Sequence, residues 1–181
     1  MALSHRWGAP QQHKQFCTLT TNLGKFAEGI AFRDLPKTFQ DAITVTRRLG
    51  IQYLWIDSLC IVQDDVDDWD AESKLMEQVF SSAYCTLAAS CASGTADGFL
   101  KGRSNRGCVT IKHPNGTPFY LCRSIDNFRA DVDEGELNKR GWVLQERALS
   151  RRTVYFTENQ SYWECGKGVR CETLTKTRKY V

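Results

Sequence analysis

The stretch "LPKTFQDAITVTRRLGIQYLWIDSLCIV", residues 35–62, decides the fold class. Pro36 suits a first helical turn and Gly50 a C-terminal cap, so the punctuation predicts a helix between them. Phe39, Ala42, Ile43, Thr46 and Leu49 recur at intervals of three and four, which gives that helix one buried face. Arg47 and Arg48 fall in its last turn, where cations offset the negative end of the helix dipole. The run Tyr53, Leu54, Trp55, Ile56 is continuously apolar, as a strand covered on both faces requires. A helix, a tight turn and such a strand form half of a crossover unit in a parallel sheet. Asp57 ends the apolar run, and ligands of open α/β sheets gather at the carboxyl ends of strands.

Working outward, "MALSHRWG" predicts a short strand ending at Ser4 and then a polar loop, and residues 9–34 read as loop. "QDDVDDWDAESKLMEQVFSSA" begins acidic and becomes amphipathic, with Trp69, Ser73, Met76, Val79, Phe80 and Ala83 on one face. The carboxylates at 64–70 suit N-capping and dipole compensation. A calcium loop would need a central Gly and a terminal bidentate Glu, and both are missing, so no metal site is expected. "YCTLAAS" reads as another buried strand. Beyond residue 107 the pattern changes. "CVTIKHPNGTPFYLC" is a hairpin around Pro114-Asn115-Gly116, and "RTVYFTENQSYWEC" is a second one turning near Glu158-Asn159. The helix "RGWVLQERALS", residues 140–150, lies between them. The expected architecture is one α/β domain over 1–181. Its small parallel-sheet core, flanked by helices, spans about 1–107 plus helix 140–150. Antiparallel β-hairpins are added in the C-terminal half, at about 108–123 and 152–165.

The length of 181 residues fits a single domain, and 41% hydrophobic with 25% charged residues excludes a largely disordered chain. A net charge of +3 is too small to imply nucleic acid. Aromatic and basic residues do interleave in "RRTVYF" and "TRKY", but solvated hairpin faces produce the same pattern. No run approaches the roughly 18 apolar residues of a membrane span, and "MALSHRWGAP" lacks a secretory signal, so an intracellular chain is expected. The eight cysteines contain no C-x-x-C. They are expected to be reduced thiols serving as small core residues, Cys60 among them because of its apolar flanks "SLCIV".

Glu146 is the most informative candidate residue. Trp142 stands four residues earlier on the same helix face. A tryptophan is normally buried, which would carry Glu146 toward the core or to the edge of a cleft. Pairing with Arg140 or Arg147 would make it structural instead. Asp57 is suited to hydrogen-bonding a ribose, holding a metal or capping the next turn. Ser4 and His5 are no catalytic dyad, because neighbouring side chains on a strand point to opposite faces. No nucleophile elbow, H-E-x-x-H or phosphate-binding glycine loop is present.

Three blocks carry a resemblance. "ALSHRWG" resembles the A-L-S-x-x-W-G opening of the fungal heterokaryon-incompatibility (HET) domain. The stretch from "LPKTFQD" to "YCTLAAS" resembles its longest diagnostic block, and "RGWVLQERALS" its R-x-W-x-x-Q-E-x-x-L-S block. The blocks occur in order across nearly the whole chain. The resemblance implies a cytoplasmic module of fungal non-self recognition that triggers programmed cell death. It also implies remote similarity to Toll/interleukin-receptor (TIR) domains, and hence a TIR/flavodoxin-like core. Trp142 and Glu146 match the W-x-x-x-E spacing of the TIR block written W-C-x-x-E, with Val143 in place of the cysteine. In NAD-cleaving TIR domains that Glu is catalytic, so the resemblance passes the role to Glu146. Ser4, Arg6, Trp7, Asp57 and Trp142 are then expected around the ribose and phosphates of an NAD-like dinucleotide. NAD is expected as a substrate, and no bound cofactor is. Self-association on activation, contact with other incompatibility proteins and the absence of membrane or nucleic-acid partners complete the expectation. Non-enzymatic homotypic signalling and nucleic-acid association remain the alternatives.

Overall fold

The first strand of the chain is only three residues long. Strand β1 (Ala2–Ser4) is buried throughout and is flanked by β2 (Trp55–Ile56) and β3 (Thr86–Ala88), parallel to both. The computed structural model describes residues 1–11, 15–103, 108–122, 124–172 and 176–177. Of the basic C-terminal stretch "TRKY", only Thr177 falls within them.

Hairpin β4 (Cys108–Lys112) and β5 (Pro118–Cys122) forms a separate two-stranded sheet. The next hairpin, β6 (Arg152–Phe156) and β7 (Ser161–Cys165), belongs to the main sheet and is not an elaboration of it. β6 lies parallel to β3, with Leu87 opposite Val154, and β7 turns back antiparallel. Strands β8 (Gly168–Cys171) and β9 (Lys176–Thr177) extend the antiparallel side, giving a seven-stranded sheet in the order β2-β1-β3-β6-β7-β8-β9. The architecture is therefore mixed α/β, with four parallel strands on one side of the sheet and an antiparallel meander on the other.

Residues 9–34, expected as loop, contain a short helix α1 (Leu23–Glu28) with no buried residue, which is why no apolar period marks it. Helix α2 (Lys37–Arg48) lies where its punctuation placed it, with Pro36 immediately before it. Its buried face is shifted, because Leu49 is exposed while Asp41 is buried. The Asp41 carboxylate accepts the amides of Phe99 at 2.8 Å and Leu100 at 3.0 Å and pairs with Lys37. These bonds offset the cost of removing a charge from water.

The strand expected over Tyr53–Ile56 is only Trp55–Ile56. Tyr53 is 76% exposed, because the chain enters the sheet from solvent at its edge. A four-residue helix α3 (Asp57–Cys60) follows at once and leaves Cys60 exposed, not buried as its apolar neighbours suggested. The six cysteines whose side chains are described are all free thiols.

Helix α4 (Val66–Ser82) starts within the acidic run, with Asp65 as its N-cap and Asp67 and Asp68 in its first turn. Asp65 caps the amides of Asp67 and Asp68, Asp68 accepts the Val62 amide at 2.7 Å, and Asp64 holds Thr20. Those carboxylates are thus occupied in capping and loop-holding, and no metal-ligating cluster occurs among the described residues. Helix α5 (Gly141–Leu149) packs on α4.

Side-chain alternation along β1 separates two layers. Leu3 joins Phe39 and Ala42 of α2, whereas Ala2 joins Met76 and Phe80 of α4 with Leu149 of α5 against them. A further cluster, including Phe128, Val132, Tyr155 and Tyr162, fills the antiparallel half. No helix among the described residues is long and apolar enough to cross a membrane.

Candidate functional site

The chain leaves β1 toward β2 on one side, and the later strand β3 lies on the other. Such a reversal opens a crevice at the carboxyl ends of the strands. Ser4 ends β1, and the polar residues His5, Arg6 and Trp7 follow. Asp57 follows β2. Helix α5 crosses above them. Its buried positions are Val143 and Glu146, three apart on one face, and Val143 joins the apolar cluster of the antiparallel half while Glu146 reaches the crevice.

The result is a cleft of about 240 Å³ bordered by Trp7, Asp57, Trp69, Arg140, Trp142 and Glu146, with Ile61, Gln63, Ser73 and Met76 completing its walls. The expected relation of Trp142 to Glu146 is inverted. Trp142 is 49% exposed and forms the rim, while Glu146 is only 5% exposed. Trp142 stays at the rim because its ring packs edge-to-face on Trp69 of α4, centroids 6.4 Å apart, instead of entering the core.

Neither neighbouring arginine neutralises Glu146. Arg147 pairs with Asp133 at 2.7 Å and with Glu164 at 3.1 Å, and Arg140 donates to the His5 carbonyl. Glu146 Oε2 is buried without a hydrogen-bond partner. Burial is the main cause that pushes its carboxyl up to about 7. The nearby Ser4 hydroxyl offsets part of this, the Asp57 charge adds to it, and Arg140 opposes it. The Ser4 hydroxyl nonetheless makes no bond of ordinary geometry.

Asp57 is held firmly. Trp7 Nε1 donates to Oδ2 at 3.0 Å and the Ser58 amide to Oδ1 at 2.7 Å. It thus combines the turn-capping role with a place on the cleft wall. His5 lies behind it, with Nδ1 3.7 Å from Asp57 Oδ1 and both ring nitrogens unpartnered. Burial holds the imidazole pKa below its usual range, Asp57 draws it upward and Arg140 presses it down. The ring is therefore neutral at neutral pH and does not form a charge pair with Asp57.

Of the residues expected at the site, Trp7, Asp57, Trp142 and Glu146 meet in the cleft, and Ser4 is buried against Glu146. Arg6 does not line the cleft. It lies in an adjoining groove with Trp7 and Arg140. Residues 1–146 match the family model described as heterokaryon incompatibility protein (HET). The chain belongs to this family.

Membership ties the chain to heterokaryon incompatibility and its cell-death response. Every residue lining the cleft, from Trp7 to Glu146, lies within the matched HET region. No curated protein matches this HET chain. No solved structure matches it either. Sequence reasoning missed Trp69 and Arg140 as wall residues of the HET cleft. The signal for Trp69 was present, since it shares a helix face with Ser73 and Met76, which line the same wall. For Arg140 the sequence pattern offers only the role of a charge partner for Glu146.

Proposed function

We propose that this chain is a HET-domain effector of fungal non-self recognition and programmed cell death whose cleft cleaves NAD or a related dinucleotide at the nicotinamide–ribose bond. One observation carries the proposal: Glu146 is buried with an unpartnered oxygen, in an aromatic-walled cleft beside a second carboxylate. Such a group costs stability unless something binds it. The Trp142-to-Glu146 spacing resembles that of NAD-cleaving TIR domains. The parallel-strand order β2-β1-β3-β6 agrees with a flavodoxin-like doubly wound core.

The chemistry follows from the charges. The pyridinium ring of NAD is a planar cation, which tryptophan faces attract. Its arrival favours the ionised form of Glu146. As the C1′–N bond breaks, its electron pair goes to the ring nitrogen and nicotinamide leaves neutral. C1′ acquires oxocarbenium character, which the fixed carboxylate stabilises. Water then adds at C1′ and gives up a proton. Activity is expected in an assembled form, after self-association.

The test is nicotinamide release from NAD by purified protein at high concentration. Release by the wild type is expected, with a loss of about 100-fold or more in Glu146→Gln. Equal release by both proteins, or none by either, overturns the proposal. A second reading, a non-enzymatic homotypic module, draws on Leu144, which is 72% exposed beside exposed Ala148 on the outer face of α5. Cell death that persists in a folded Glu146→Gln variant and is lost in Leu144→Lys would select that reading.

A further inference from the structure

The cleft has a neighbour of opposite character. A groove of about 370 Å³ is lined by Arg6, Trp7, Gly8, Pro10, Gln15 and Arg140. It shares Trp7 and Arg140 with the cleft, so those two side chains form the common wall. The charge divides across that wall. Asp57 and Glu146 lie on the cleft side, while the groove is lined by two arginines and no carboxylate. Among the described residues neither Arg6 nor Arg140 forms an ion pair within 4.0 Å. Arg140 is fixed in place by its bond to the His5 carbonyl.

Size points the same way. Small-ligand sites run from roughly 300 to 1,000 Å³. The cleft, at about 240 Å³, falls short of that range alone, and cleft and groove together fall within it. One ligand spanning both would present a ring and sugar to the aromatic, acidic half and an anion to the basic half.

We propose that Arg6 and Arg140 form a diphosphate subsite joined to the cleft across Trp7, so that the ligand is a base–ribose unit carrying a diphosphate and not a bare nucleoside. This rests on the reading of the cleft as a dinucleotide site. Arginine recognises phosphate oxygens through paired N–H groups, and Arg140 holds one end of its fork on the chain while bordering both halves.

The experiment measures binding separately from cleavage. NAD and nicotinamide riboside are titrated into Glu146→Gln protein, followed by tryptophan fluorescence, with and without Arg6→Ala and Arg6→Lys. Loss of one charge-assisted contact predicts NAD binding about 10- to 100-fold weaker in Arg6→Ala, partial recovery in Arg6→Lys, and no change for the riboside. Equal affinity for NAD and riboside, or equal weakening of both by Arg6→Ala, overturns the subsite. Arg6-dependent NAD binding without nicotinamide release by the wild type leaves the subsite standing and removes the cleavage reading. Release of nicotinamide with equal efficiency from NAD and riboside does the reverse.

Discussion

The buried Glu146 makes a quantitative prediction about stability as well as about chemistry. In the unfolded chain its carboxyl releases its proton near 4.5, whereas in the fold it is held up to about 7. Between those values the folded chain binds more protons than the unfolded chain. Stability from this group is therefore full below pH 4.5 and is lost as pH rises through 7. A shift of that size is worth about 3 kcal/mol at about 1.4 kcal/mol per pKa unit, a large share of the 5–15 kcal/mol typical of a domain. Glu146→Gln removes the titration and keeps the shape. Urea unfolding of both proteins between pH 5 and pH 8 should show the wild type losing about 2 to 3 kcal/mol relative to the variant. That corresponds to a midpoint separation of roughly 1 M or more at unchanged slope. Parallel pH profiles would refute the reasoning, because they would mean that Glu146 is solvated or paired in solution. Saturating ligand should narrow the gap at pH 8, since it supplies the missing partner.

Further expectations concern the frame around the site. In Gly98→Ala the new Cβ would lie 2.7 Å from Asp41 Oδ2 and 2.6 Å from Lys37 Cγ, at a residue whose φ is 69°. A loss of about 1 to 3 kcal/mol in urea unfolding is expected from strain and the displaced carboxylate. Asp65→Ala removes the cap of α4 and should cost about 1 kcal/mol by the same measurement, without altering the pH profile. Trp142→Ala, at a half-exposed rim position, should change stability by less than about 1 kcal/mol while abolishing detectable NAD binding in the titration.

Where residues declare themselves by period and punctuation, the sequence was legible. Helices α2 and α4, strand β1 and both hairpins lie close to their expected places. What sequence could not supply was long-range pairing. Nothing in "RTVYF" distinguishes a hairpin attached to the outside from a strand lying parallel to β3, since both alternate in the same way. Helix α3 was invisible because four residues define no period. At the site, the Trp142–Glu146 interval placed both residues on one face of α5. Which of them is buried depended on Trp69, a partner more than seventy residues away in the chain.

The bond from Arg140 to the His5 carbonyl joins residues 135 positions apart and draws the first strand and the last long helix into one pocket. During synthesis at about 5–20 residues per second, roughly 7 to 30 s separate the emergence of its two ends. From the synthesis of Asp57 onward, the nascent chain holds that carboxylate and the carboxyl end of β1 with no Glu146 above them. A chain abandoned before residue 140 contains only β1, β2 and β3 of the seven-stranded sheet and no complete pocket.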